Sequence, residues 1–147
     1  METKYEIKTI KVKVKLREGA LPALTSPERV VETVREIYKD LDADQEHFVI
    51  LTLNTKNEVE GFKVVASGMM DQVAVDMKLL FRSAILLGAA GIIVVHNHPS
   101  GHPEPSAEDK GLTRIIREAS NLLNIRFLDH IVIGDRNFFS FMQRGLI

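Results

Sequence analysis

At 147 residues, 45% hydrophobic and 27% charged, the chain has the size and composition of one globular domain with its own core, which excludes disordered and collagen-like classes. Lys and Arg total 19 against 20 Asp and Glu, a formal net charge of −1, so bulk charge gives no hold on a long nucleic acid, although a local basic patch stays open. With no cysteine there can be no disulfide, thiol nucleophile, thiolate zinc site or iron–sulfur cluster, and any metal site must be built from His, Asp, Glu and water.

No segment approaches the roughly 18 consecutive apolar residues of a membrane span. Residues Met1 to Tyr5 lack an apolar signal core. A cytoplasmic protein without a membrane partner is therefore expected. Ile10, Val12, Val14 and Leu16 alternate with Lys11, Lys13, Lys15 and Arg17, which predicts a half-buried strand with a basic outer face. Lysines on such a strand protect a sheet edge from pairing, and they also offer a contact for an anionic partner.

Ser26 and Pro27 open a helix as N-cap and first helical residue. Its buried side is read as Val30, Val31, Val34, Ile37, Tyr38 and Leu41. Arg29 stands where a capping box would want Glu. Phe48–Leu53 predicts a strand, residues 54–57 a turn, and Val59–Ala66 the returning strand. Asp76 caps a helix from Met77 to about Leu87, stopped by Gly88. Gly91–Val95 is wholly apolar and runs into His96, the pattern of a buried central strand.

Residues 96–105 contain three of the five prolines and can be neither helix nor strand. Ser106 begins a helix to about Leu123, with Leu112, Ile115, Ile116, Ala119, Leu122 and Leu123 read as its buried side. Phe127–Ile133 and Phe138–Met142 are strands joined by a turn at 134–137. The order β, α, β, β, α, β, α, β, β predicts an α/β fold, a mixed sheet flanked by helices.

His96 and His98 stand two apart at the end of the apolar strand, so in extended backbone both rings face one point. Asp109 lies eleven positions beyond His98, in the first turn of the next helix, and the Pro-rich loop can fold that turn back beside the histidines. Two imidazoles, one carboxylate and an open position make the arrangement of a catalytic zinc site, one that also admits Fe(II) or Co(II). Such a site needs a proton carrier. Glu46, Glu58, Glu60, Glu104 and Glu108 are all candidates, and spacing does not choose among them. Ser106 and Asp109 also form a capping-box pattern, with Asp in the place of Glu or Gln. Asp129 and His130 are neighbours on a strand and point to opposite faces, so one of them at most can support the site, by holding a ligating imidazole's second nitrogen. His47 faces away from Glu46 for the same reason.

The run His96-Asn97-His98-Pro99-Ser100-Gly101, then Pro105-Ser106 and Asp109, resembles the JAMM motif of MPN-type metalloproteases. With Leu128-Asp129-His130-Ile131-Val132-Ile133-Gly134-Asp135 it is similar to the RadC branch in particular, a likeness running from about Glu46 to Leu146. The resemblance implies a single JAB/MPN domain over residues 26–147, akin to the cytidine deaminase architecture, preceded by a basic-strand extension over residues 1–25. It implies one zinc ion on His96, His98 and Asp109, with Glu46 as general acid/base and Ser106 supporting the oxyanion. The implied activity is hydrolysis of an amide or isopeptide bond in a protein or peptide substrate by metal-activated water. A DNA-associated accessory module, of the DNA-repair type, and a non-catalytic MPN scaffold are the alternatives.

RadC-like proteins usually carry a helix–hairpin–helix module ahead of this domain, and only residues 1–25 precede the first helix here, so a role on DNA is expected to be weak. Where the family often reads V-H-P-R-E, this chain has Val75-Asp76-Met77-Lys78-Leu79. His102 replaces a common Asp and is expected to be a solvent-facing loop residue rather than a fourth ligand.

Overall fold

The structure, a computed structural model, describes residues 23–68 and 75–147. The basic strand expected over residues 10–17 lies outside the described residues. Within them the elements are α1 (Pro27–Tyr38), β1 (Glu46–Leu53), β2 (Val59–Gly68), α2 (Met77–Leu86), β3 (Gly91–Asn97), α3 (Ala107–Leu122), β4 (Arg126–Ile133) and β5 (Phe138–Ser140). The strands form one mixed sheet in the order β2-β1-β3-β4-β5. Only β3 and β4 run parallel, joined by the crossover through α3; the other neighbours are antiparallel. This is the α/β architecture with flanking helices that the element pattern predicts. No helix among the described residues is long and apolar enough to cross a membrane.

Helices cover both faces of the sheet, which is why β1 is buried along its whole length. Alternation sorts its side chains: Val49, Leu51 and Leu53 join Val30, Val31 and Val34 of α1 in one core. Phe48 and Ile50 join Leu80, Phe81 and Ala84 of α2 and Ile116 of α3 in the other. The same period places Glu46, His96 and His130 on the α2/α3 face, in line with Phe48, Val94 and Ile50.

Local chemistry starts and stops the helices. Ser26 Oγ accepts from Arg29 N at 3.3 Å, the cap without a reciprocal partner that the sequence predicts. Asp76 Oδ1 accepts from Lys78 N at 2.8 Å. Gly88 leaves α2 at φ 62°, a conformation glycine adopts without steric cost.

Two expectations change. Ile115 and Leu122 of α3 and its C-cap Leu123 are 52%, 84% and 41% exposed, whereas Thr113, Ile116 and Ser120 face inward. The buried stripe is centred on Ile116, and its flanks at 113 and 120 are small polar residues that a hydrophobicity pattern does not register. The last strand stops at Ser140 instead of Met142, because the chain turns there: Arg144 N donates to Ser140 O and Gly145 stands at φ 67°.

Candidate metal centre

β3 ends at the carboxyl edge of the parallel pair, where open α/β sheets form their crevices. His96 is its last buried residue and His98 the first residue beyond it. The following loop is pinned from both sides. His98 N donates to Ile133 O at 2.9 Å, Gly101 N to His98 O at 2.9 Å, and Asp135 N to Gly101 O at 3.0 Å. A side chain at Gly101 would run into the Asp135 carboxylate, and one at Gly134 into the Gly101 carbonyl. The two sequence segments that carry the family likeness are therefore in contact, each with glycine where the other approaches.

The loop delivers the N-terminus of α3 to the histidines. Ser106 Oγ accepts from Asp109 N at 3.0 Å, and Asp109 Oδ2 accepts from Ser106 N at 2.8 Å, a complete capping box. The cap fixes the carboxylate so that Oδ1 stands 3.2 Å from His96 Nε2 and Oδ2 3.2 Å from His98 Nε2. The two Nε2 atoms are 3.1 Å apart. Glu46, at the start of β1, brings Oε1 to 3.5 Å from His96 Nε2. One potential ligand atom from each of Glu46, His96, His98 and Asp109 falls within 4.8 Å of the others. Among the described residues this is the only such group. Of the five candidate glutamates, Glu46 alone belongs to it; Glu58, for instance, accepts from Asn54 Nδ2 at 3.3 Å in the β1–β2 turn.

Hydrogen bonds dictate which ring nitrogens carry protons. His98 Nδ1 faces the His102 carbonyl at 2.7 Å, which can only accept, so Nδ1 donates and, in the neutral ring, Nε2 carries the lone pair toward the cluster. His102 thus serves through its backbone, and its side chain is not part of the cluster. His96 is set by a longer chain. Thr113 Oγ1 donates its one proton to Asp109 O at 2.8 Å and so must accept from His130 Nδ1 at 2.6 Å. His130 Nε2 is then an acceptor, and His96 Nδ1 donates to it at 2.8 Å. When His96 is neutral, its lone pair is therefore on Nε2, which faces Asp109 and Glu46. The chain begins on the backbone of one candidate ligand and ends on the ring of another.

Burial holds the His130 pKa well below its ordinary value, so the relay is neutral. Its ring stacks on Phe141 with centroids 4.7 Å apart, and Phe48 stacks on His96 at 5.6 Å. The hydrogen bond to Asp109 raises the His98 pKa despite partial burial. For Asp109 burial acts upward, but hydrogen bonds from His96 and His98 outweigh it and hold the carboxyl well below its usual range. Asp109 is thus ionised, and the Nε2 atoms of His96 and His98 donate to it when protonated and offer lone pairs when neutral, a set suited to a divalent cation.

Asp129 and His47 take no part in the cluster. Asp129 lies on the opposite face, bonded to Ser140 Oγ at 2.6 Å. His47 contacts Ser67 Oγ and the Asp42 carbonyl, each at 2.6 Å. Thr113 is the residue that sequence reasoning misses. Its only sequence signal is a hydroxyl one turn after Asp109, a common pattern on any helix.

A mixed α/β sheet with two histidines and a capped aspartate at the carboxyl edge of its parallel pair defines a JAB-type domain with a candidate metal centre. The chain belongs to the RadC-like JAB domain family, whose sequence profile matches residues 24–146. It is 43% identical to a UPF0758 protein of Desulforamulus reducens, over 96% of this chain and 65% of that protein. To a UPF0758 protein of Geotalea uraniireducens it is 41% identical, over 89% of this chain and 57% of that one. A third, from Desulforudis audaxviator, is 42% identical over 85% of this chain and 54% of its own length. The matches thus span between 54% and 65% of the length of these curated relatives.

Proposed function

We propose that this domain is a metal-dependent hydrolase of the JAMM type, cleaving an amide or isopeptide bond in a protein or peptide. One zinc ion would be held by His96 Nε2, His98 Nε2 and Asp109. The observation that carries the reading is the placement of Glu46 Oε1, 3.5 Å from His96 Nε2, beside a three-residue ligand set. When bound, zinc supplies Lewis acidity toward a carbonyl and lowers the pKa of a coordinated water to about 7.

The chain's own residues divide the remaining tasks. Glu46 sits on a buried strand that fixes its backbone, and its carboxylate takes a proton from water and returns it to the leaving amine. Ser106 Oγ already accepts from the Asp109 amide, which leaves its own proton free to donate to the oxyanion. The His96–His130–Thr113 chain keeps the His96 lone pair pointed at the cluster through the cycle.

Elemental analysis of protein without a His tag, after zinc loading and desalting, tests the first step. About one equivalent is expected, and fewer than about 0.2 would sink the reading. A peptide or isopeptide library screened with loaded protein tests the reaction class.

A further inference from the structure

Lys110, Arg114 and Arg117 follow Asp109 along α3 at spacings of four and three, so they leave one side of the helix. They line a cavity of about 260 Å³ together with Thr113, Phe141 and Leu146. No carboxylate is among the lining residues. Among the described residues, none of the three cations forms an ion pair or a side-chain hydrogen bond. Arg114 is unpaired even though Glu118 stands one turn beyond it, the spacing at which such pairs form. Three exposed cations and no carboxylate line the hollow, so it favours an anion.

The remaining lining residues include Phe141 and Leu146. Phe141 is buried with its ring stacked on His130, and Leu146 adds a half-exposed apolar edge. Phe141 and Thr113 both touch His130, so the cavity lies one layer behind the metal cluster. Its volume falls just under the roughly 300 Å³ at which ligand pockets begin, which suits a small molecule. Two guanidinium groups and an ammonium match a phosphate monoester, which carries about −1.5 to −2 charges and three acceptor oxygens.

We propose that this cavity binds a small phosphate monoester, with the phosphate on Lys110, Arg114 and Arg117 and an apolar or aromatic portion against Leu146. The site uses none of the candidate metal ligands, so it stands apart from the hydrolase reading.

The test is a two-dimensional amide NMR titration of the full chain with phenyl phosphate, with benzoate in parallel, at about 0.15 M salt to screen loose surface contacts. Saturable shifts are expected at Thr113, Arg114, Arg117 and Leu146, with Kd at or below about 1 mM. Benzoate, with half the charge, should bind at least about fivefold more weakly. The exposed double variant R114Q/R117Q should keep its dispersed spectrum and its zinc stoichiometry while binding phenyl phosphate at least about tenfold more weakly. The proposal is overturned by absence of saturation, by shifts centred on His96, His98 and Asp109, or by unchanged affinity in the double variant. It is also overturned, in favour of nucleic acid, if a short single-stranded oligonucleotide binds through these residues and phenyl phosphate does not.

Discussion

Asp129 and His130 are adjacent in sequence and both buried, yet they anchor two different kinds of polar network. Asp129 is closed. Its carboxylate accepts from Ser140 Oγ at 2.6 Å, His130 N at 2.8 Å and Met142 N at 3.0 Å, and every bond ends there. Burial raises its pKa, and these bonds only partly offset that. His130 is open. Its bonds run from Asp109 O through Thr113 to His96, whose Nε2 faces Asp109, Glu46 and His98. A closed network ties the C-terminal turn to the sheet; an open one presents a candidate ligand. Burial alone does not tell them apart, because each satisfies its own members.

The largest separation between the two networks should come at the open end. Glu46→Gln is expected to lower hydrolysis by about 10²- to 10⁴-fold, the usual loss on removing a proton carrier, while zinc content by elemental analysis stays near one equivalent. Loss of zinc instead would make Glu46 a fourth ligand and the site a closed structural one.

Next is the closed side. Asp129→Ala leaves one hydroxyl and two amides without their buried acceptor, each at about 1–3 kcal/mol. Urea denaturation should show a loss of about 3 kcal/mol or more, with zinc affinity of the folded fraction changed by less than about threefold. His130→Ala should do the reverse, weakening zinc about 10- to 100-fold in a competition titration against a chelating dye. His130→Gln offers an amide oxygen to His96 Nδ1 and should recover part of that loss. Equal zinc affinity in both variants would erase the distinction between open and closed.

The smallest effect is a pH slope. His130 is held well below its ordinary pKa of 6.5, so above pH 6.5 it is neutral in both folded and unfolded chains and contributes no pH dependence. Below that, the unfolded chain takes up a proton that the folded one refuses. Stability of metal-free protein should therefore fall as pH drops, by at most about 1.4 kcal/mol per unit from this group. His130→Gln should lose that share of the slope in denaturation curves collected between about pH 7 and 5.

Much of the centre is legible in the sequence. The His96/His98 spacing follows from strand period, Ser106 and Asp109 from capping chemistry, and the loop from its prolines. The choice of Glu46 among five glutamates came only from family resemblance, because Glu46 and His96 are brought together by the pairing of β1 with β3. The buried face of α3 was misread at Ile115, Leu122 and Leu123 for a related reason: Thr113 and Ser120 are inside because of what lies against them, not because of their own hydrophobicity.

The sequence by itself determined the local devices: caps, turns, strand alternation and the absence of thiols, since each depends on residues within a few positions of one another. It also kept a local basic patch open, with the 10–17 strand as its only candidate. That strand lies outside the described residues; tertiary structure brings a further set of cations, Lys110, Arg114 and Arg117, around a hollow that Phe141 and Leu146 help to line. It also decided the tautomer of His96, because that proton's position is set by Thr113 and His130, which share no local segment with it. Short-range chemistry is written along the chain, whereas the direction of a hydrogen-bond chain depends on which acceptor stands at its far end.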